Sequence, residues 1–290
     1  MSSFQEPSDI ITLALTEDLG SNLAEGDVTS RAFIPRGSQS RARIITRMPC
    51  VVSGIETARE VFHRIDPSLK IFSTRDEGAL LSKDAVLMEI TGSTHSILSA
   101  ERTALNFLGR LCGIATLSRR YAEAVAGTGV KILDTRKTTP GWRFLEKQAV
   151  KAGGCVNHRM GLYDAVLVKD NHLAALGNLS LLPPVIARLR EEYPGLSVEI
   201  EADTLPQVKQ LLSIPGIDVI LLDNMSRDQL EQAVAMRGAL ASQILLEASG
   251  GITLEALPTL ATTGVDRISV GALTHSAPNA DLSLELEDVS

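Results

Sequence analysis

Two short apolar runs in the middle of the chain each end in a stock of cations. Val130-Lys131-Ile132-Leu133 leads into Asp134-Thr135-Arg136-Lys137-Thr138-Thr139-Pro140-Gly141, and Ala165-Val166-Leu167-Val168 leads into Lys169-Asp170-Asn171-His172, with His158 and Arg159 just upstream. The chain carries a formal net charge of −7, so a local concentration of Arg, Lys and His is not background. A guanidinium presents a planar fork of donors that matches a carboxylate, and an ammonium adds a compact point charge. Converging at one place, Arg136, Lys137, Arg159 and Lys169 make a pocket for a small polyanion bearing carboxylates or phosphates. His158 follows the Gly153-Gly154 pair and can orient or donate to such a ligand. Taken singly, each of these cations reads first as an ordinary surface charge or ion pair; their placement after apolar runs weakens that alternative.

Other groups extend the pattern. Glu201 and Asp223 end two later apolar runs. Paired carboxylates there suit Mg²⁺, directly or through water, or sugar hydroxyls; the bland alternative is capping of the helices that follow. Glu199 is one pleat from Glu201 on the same side of its strand, and spacing alone does not choose between them. Glu247-Ala248-Ser249-Gly250-Gly251-Ile252-Thr253 and Ser269-Val270-Gly271-Ala272-Leu273 are two late Gly-containing turns, where backbone can approach an anion at a helix start. His275 follows the second turn and is a weaker phosphate candidate, while His63, His95 and His172 read as structural. Arg102, in Ser99-Ala100-Glu101-Arg102, reads locally as an exposed helix charge or a Glu–Arg pair.

The elements that must position these groups follow from periodicity. A helix over residues 8–20 has Ser8 as its cap, an apolar side from Ile10 to Leu15 and Gly20 as its end; a polar turn follows at 25–30. Strand-like runs at 41–46, 51–54, 69–72 and 85–90, with a helix near 55–65, form an α+β domain. A long helical stripe covers 97–126, in which Gly109 and Gly113 permit a kink or close packing. After Gly129 six apolar runs, at 130–133, 165–168, 196–200, 218–222, 243–246 and 267–270, alternate with helical segments at 181–192, 205–212, 227–239 and 254–262. Repeated β-then-α units imply a parallel sheet, and near-continuous Val/Ile/Leu runs fit strands buried on both faces. A barrel and an open doubly wound sheet both remain. Polar groups at nearly every strand end favour the barrel, whose active face is that end, over an open sheet with one switch point.

Composition narrows the function. Of 290 residues 44% are hydrophobic, enough for a sizeable core, while 3% aromatics and the acidic balance disfavour base stacking and broad phosphate-backbone binding. Cys50, Cys112 and Cys155 are odd in number and form no CxxC pair, so neither a zinc site nor a disulfide framework is expected and a reducing cytoplasm is the simplest setting. No secretory leader is expected from the first residues, and no membrane span from any apolar run.

Together these segments resemble the quinolinate phosphoribosyltransferases. The resemblance rests on EGDVTS at 25–30, ERTALNFLGRLCGIAT at 101–116, DTRKTTPG at 134–141, GGCVNHRMGLYDAVLVKDNH at 153–172, VEIEAD at 198–203, LLDN at 221–224, EASGGI at 247–252 and SVGALTHSAP at 269–278, in that order over nearly the whole chain. It implies an α/β protein: an N-terminal α/β sandwich domain at 1–113, joined by 276–290, and an incomplete TIM-like α/β barrel of seven strands at 114–275. The six apolar runs would then undercount the barrel by one. It implies a homodimer, in which Arg102 reaches the neighbouring subunit's site. The implied reaction joins quinolinate to 5-phosphoribosyl 1-diphosphate with Mg²⁺ and releases pyrophosphate and carbon dioxide. By the same resemblance Arg102, Thr135, Arg136, His158, Arg159 and Lys169 bind quinolinate, Lys137 faces the diphosphate, Glu201 and Asp223 serve ribose and Mg²⁺, and Ser249, Gly250, Gly251, Val270, Gly271, Ala272 and His275 take the 5-phosphate side.

Three rivals compete. A related pyrophosphorylase would accept another aromatic acid; the two-carboxylate clamp favours quinolinate over nicotinate. A Schiff-base lyase or aldolase would use Lys169 as its amine, leaving the late Gly turns and Arg102 without a role. A non-catalytic metabolite sensor would keep the fold while losing polar groups that are all present here.

Overall fold

A computed structural model describes residues 7–240 and 242–288. It divides into two compact units: one holds residues up to Arg119, Thr138–Gly154 and the chain from Leu273 onward, and the other holds Arg120–Lys137 and Cys155–Ala272.

The first unit contains helices α1 (Pro7–Leu19), α2 (Val28–Phe33), α3 (Ile55–Ile65) and α5 (Arg143–Ala152), and most of α4 (Thr94–Ala124). Its early strands are β1 (Gln39–Thr46), β2 (Cys50–Val51), β3 (Lys70–Ser73), β4 (Leu80–Leu81) and β5 (Val86–Ser93). The second unit contributes β6 (Lys131–Leu133), β7 (Val166–Val168), β8 (Val198–Ala202), β9 (Val219–Asp223), β10 (Leu245–Ser249) and β11 (Arg267–Ser269), and β12 (Leu282–Asp288) returns to the first.

In the first unit an antiparallel sheet has the order β12-β1-β5-β3. Strand β1 alternates as an amphipathic strand should: Ser40, Ala42 and Ile44 are buried, while Arg41 and Arg43 point outward and pair with Glu89 and Glu287. Helix α1 begins at Pro7, so Ser8 lies inside its first turn, and it ends at Gly20, whose φ of +75° is the left-handed turn glycine favours. The segment expected as a polar turn at 25–30 is partly helical, because Asp27 caps α2 by accepting the Ser30 amide. Residues 143–152, given no element from sequence, form α5; Phe107 stacks on Trp142 with centroids 4.6 Å apart, and Arg110 pairs with the fully buried Glu146 at 2.9 Å. Of the two possibilities for Gly113, close packing holds: a Cβ there would meet the Pro278 carbonyl at 2.0 Å. His63 reaches the Leu69 carbonyl at 3.3 Å, a structural role.

In the second unit six parallel strands run in the order β6-β11-β10-β9-β8-β7. A parallel bridge between Leu133 and Val156 adds a seventh position beyond β6. This is an α/β barrel rather than an open doubly wound sheet, and its hydrogen-bonded ladder breaks between Val156 and β7. Four strands, β8 to β11, carry the buried core, with Val198, Ile200, Val219, Ile220, Leu222, Leu246 and Ile268 nearly inaccessible. Strand β7 departs from the expected burial on both faces: it is half-exposed throughout, since it pairs only with β8. Register aligns the strand ends, placing Asp223 opposite Ser249 and Ser269 opposite Leu133. Helices α6 (Asp170–Leu176), α7 (Leu182–Glu192), α8 (Leu205–Leu211), α9 (Arg227–Ala239) and α10 (Leu257–Leu260) follow the strands. Thr204 and Ser226 start α8 and α9 through capping boxes with Gln207 and Gln229.

Candidate active site

The C-terminal ends of the barrel strands surround a pocket of about 550 Å³, lined among others by Thr135, Arg136, Lys137, His158, Arg159, Lys169, Glu201, Asp223, Ser249, Gly250 and Gly251. Most residues singled out from the sequence therefore converge within one unit. Val270, Gly271 and Ala272 follow β11 outside that lining, where Ser269 takes the nearest place. Arg102 and His275 belong to the first unit, and both are exposed.

One wall is cationic. Arg136 and Arg159 are both partly buried, and burial first, then the charge of Arg136, press the pKa of Arg159 below its ordinary value. Two guanidiniums that disfavour one another in a pocket are relieved by an anion. Arg159 is anchored by its donation to the Ala165 carbonyl at 3.1 Å. Thr135 accepts the Lys137 amide at 3.0 Å, which fixes the turn carrying Arg136 between them. Lys169, half-exposed, reaches Glu201 at 3.2 Å; it is ion-paired rather than enclosed in the apolar wall that a Schiff-base amine needs.

Another part of the lining is acidic. Carboxylate oxygens of Glu201, Asp203 and Asp223 all lie within 4.8 Å of one another. An all-oxygen set with one exposed member fits a hard divalent cation that keeps part of its water shell. Asp203 escaped the sequence reading, although it stands two residues after Glu201. Asn224 also escaped it: at φ +52° it donates to Asp223 at 2.6 Å, and its amide donates to the Ser249 carbonyl at 2.9 Å. Its side chain sits where a Cβ on Gly250 would be, at 2.1 Å, and Gly250 has φ +98°. Here glycine is required twice over, by conformation and by space.

A second cluster joins His158, which lines the pocket, to the buried Glu199 and Glu247, with ligand atoms also within 4.8 Å of one another. Glu199 accepts from His158 Nε2 at 3.0 Å, and Glu247 approaches the same nitrogen at 3.6 Å. The Arg159 amide donates to His158 Nδ1 at 2.8 Å. An Nδ1 that accepts leaves the ring hydrogen on Nε2, so this nitrogen is a donor and not a metal ligand. His158 is thus bound to Glu199 with Glu247 packed beside them, and the fit to a metal belongs to Glu201, Asp203 and Asp223. Burial, then the neighbouring charge of Glu199, push the Glu247 carboxyl up to about 7.

Comparison with known proteins agrees with this geometry. The family model for the quinolinate phosphoribosyl transferase C-terminal domain matches residues 114–285, and that for the N-terminal domain matches 27–112. The nicotinate-nucleotide pyrophosphorylase (carboxylating) of Mycobacterium leprae is 39% identical over 98% of each chain. A quinolinate phosphoribosyltransferase (decarboxylating) of Nicotiana tabacum is 39% identical over 96% of this chain and 81% of its own. The crystal structure of the Ehrlichia chaffeensis nicotinate-nucleotide pyrophosphorylase superposes with a TM-score of 0.88 at 37% identity, covering 99% of this chain and 100% of that one. A barrel-end pocket with a cationic and an acidic wall, and matches to both domain models that together span residues 27–285 apart from Gly113, establish that the chain belongs to the quinolinate phosphoribosyl transferase family.

Proposed function

We propose that this protein transfers the phosphoribosyl group of 5-phosphoribosyl 1-diphosphate to quinolinate, with decarboxylation to nicotinate mononucleotide, a step of NAD biosynthesis. The observation that carries this is one pocket that brings Arg136 and Arg159 together with Glu201 and Asp223, two carboxylates that cluster with Asp203. A dicarboxylate suits the cationic wall, and a hydroxylated sugar diphosphate with its cation suits the acidic one.

In this reading Arg136, Arg159 and Lys169 neutralise the two quinolinate carboxylates, with Thr135 and His158 shaping the same wall. They hold the ring nitrogen against the anomeric carbon, replacing a bimolecular encounter with a positioned one. The nitrogen attacks, the bond to the diphosphate breaks, and Lys137 lies on the side where negative charge leaves. Glu201 and Asp223, joined by Asp203, hold the ribose hydroxyls and Mg²⁺. When bound, Mg²⁺ supplies charge neutralisation for the diphosphate. Ser249, Gly250 and Gly251 receive the 5-phosphate, with Val270, Gly271 and Ala272 as its outer contacts. Once the nitrogen is bonded to the sugar it is cationic, so the electron pair left on the ring carbon by departing carbon dioxide is stabilised before that carbon takes up a proton.

The reading includes a homodimer in which Arg102 enters the partner's pocket. Arg102 is exposed on a helix otherwise mostly buried, which supports such a role. Three buried cysteines without disulfides fit a reducing cytoplasm. The test is product stoichiometry: with quinolinate, 5-phosphoribosyl 1-diphosphate and Mg²⁺, pyrophosphate and carbon dioxide appear in equal amounts, and nicotinate is a poor substitute. Folded protein that releases neither product overturns the assignment.

A further inference from the structure

Glu199 and Glu201 are both buried and stand two residues apart on β8, so their side chains leave the same face of the strand. Their partners differ. Glu201 meets Lys169 and the Asp203–Asp223 group, whereas Glu199 accepts from His158 Nε2. His158 in turn is tied to Arg159, whose amide donates to Nδ1, and to the fully buried Asp134, which accepts the His158 amide at 2.8 Å. Every nitrogen of His158 is therefore engaged by protein, leaving no ring N–H directed at a ligand. The next residue, Arg159, does line the pocket.

We propose that Glu199 is a positioning residue for the dicarboxylate half of the site, acting through His158 to set where the Arg159 guanidinium stands. Glu247 completes the socket. It is fully buried, lies 3.6 Å from His158 Nε2 and 3.8 Å from Arg267, and neither of its oxygens completes a hydrogen bond of normal geometry. A ring gripped at Nε2 by one carboxylate, flanked by a second and capped at Nδ1 by an amide has one orientation and one tautomer. Replacing the Glu199 acceptor with a hydrocarbon strands a buried N–H, a loss the ring escapes by rotating, and the Arg159 backbone moves with it.

The inference rests on the proposed reaction, and its test separates the two. Glu199→Leu is expected to raise the KM for quinolinate about tenfold, the size of one stranded buried donor, while leaving the KM for 5-phosphoribosyl 1-diphosphate and the Mg²⁺ requirement within about threefold. Glu199→Gln, which retains an acceptor oxygen, is expected to recover most of the loss. Glu199→Leu and His158→Ala should be non-additive on the quinolinate KM, since both break one linkage. Independently of any variant, wild-type protein labelled with ¹⁵N-histidine should show His158 as the neutral Nε2–H form. Detection of an Nδ1–H or doubly protonated ring overturns the proposal, as does a shift confined to the diphosphate substrate or to Mg²⁺. Wild-type enzyme that turns over with Glu199→Leu unchanged sinks this inference alone; wild-type enzyme that releases no product sinks both.

Discussion

Lys169 Nζ stands 3.2 Å from Glu201 Oε2, and this contact joins the cationic wall of the pocket to the acidic one. Glu201 thus pairs with an ammonium and also lies within 4.8 Å of the carboxylate oxygens of Asp203 and Asp223, like charges that a cation would relieve. Glu201→Gln keeps the shape, weakens the Lys169 pairing and removes the charge of a proposed cation ligand. We expect kcat/KM to fall on the order of 100-fold, with the Mg²⁺ concentration for half-maximal rate rising. A magnesium titration of wild type and variant reads both. An unchanged titration curve would exclude Glu201 from the cation site.

Arg102 and Arg136 lie in different units of one chain. A shared site between subunits predicts complementation. Arg102→Ala and Arg136→Ala homodimers should each lose on the order of 10- to 100-fold in kcat/KM, as for a charge-assisted contact of roughly 1.5–3 kcal/mol. Mixed and reassociated, they should regain activity, because each hybrid dimer has one site free of both substitutions. Activity no higher than the average of the parents would place Arg102 outside the partner's pocket.

Gly250 combines φ +98° with an Asn224 oxygen 2.1 Å from any added Cβ. Gly250→Ala must strain the turn or expel Asn224, which also supports Asp223. Backbone strain of this kind costs about 1–3 kcal/mol. The KM for 5-phosphoribosyl 1-diphosphate should rise, on the order of tenfold, and the melting temperature should fall by several degrees; Gly251→Ala, whose added Cβ meets open space but whose φ is +60°, should be milder. Equal effects from both would show that conformation matters and the Asn224 contact does not.

In the first unit, Arg110 meets the fully buried Glu146 at 2.9 Å and also donates to the Ala277 and Thr274 carbonyls. The Thr139 amide and hydroxyl donate to the same carboxylate. Glu146→Ala strands a partly buried guanidinium and should cost about 3–5 kcal/mol, measured as a lower denaturant midpoint. A change under 1 kcal/mol would mean that the carbonyls alone satisfy Arg110.

The barrel strands were legible in the sequence because buried parallel strands write themselves as Val/Ile/Leu runs. The seventh position was not, since Val156 contributes a single bridge, too short for any periodicity. Helix α5 was hidden for a different reason: its buried face includes Glu146 and Lys147, polar residues that read as solvent-facing until their partners are known. At the site, residue types gave the cations and carboxylates but not their pairings. Glu199 and Glu201 share a face by spacing, and only the fold shows that one serves His158 and the other Lys169. Asp203 lay within sight, two residues beyond Glu201, yet its role depends on Asp223 arriving from another strand.

The Glu247 carboxyl, pushed up to about 7 from 4.5 by burial and then by Glu199, makes stability depend on pH with a definite sign. Between those values the folded chain holds a proton that the unfolded chain releases, so stability falls as pH rises through this window and levels off above it. Glu247→Gln cannot ionise and removes this contribution. The difference in melting temperature, variant minus wild type, should therefore grow in favour of the variant from about pH 4.5 to about pH 7 and then stay constant. Melting curves of both proteins at half-unit intervals check this. A difference that is flat across the window, or that shrinks with rising pH, would mean that Glu247 is ionised in the folded protein and held by His158 and Arg267.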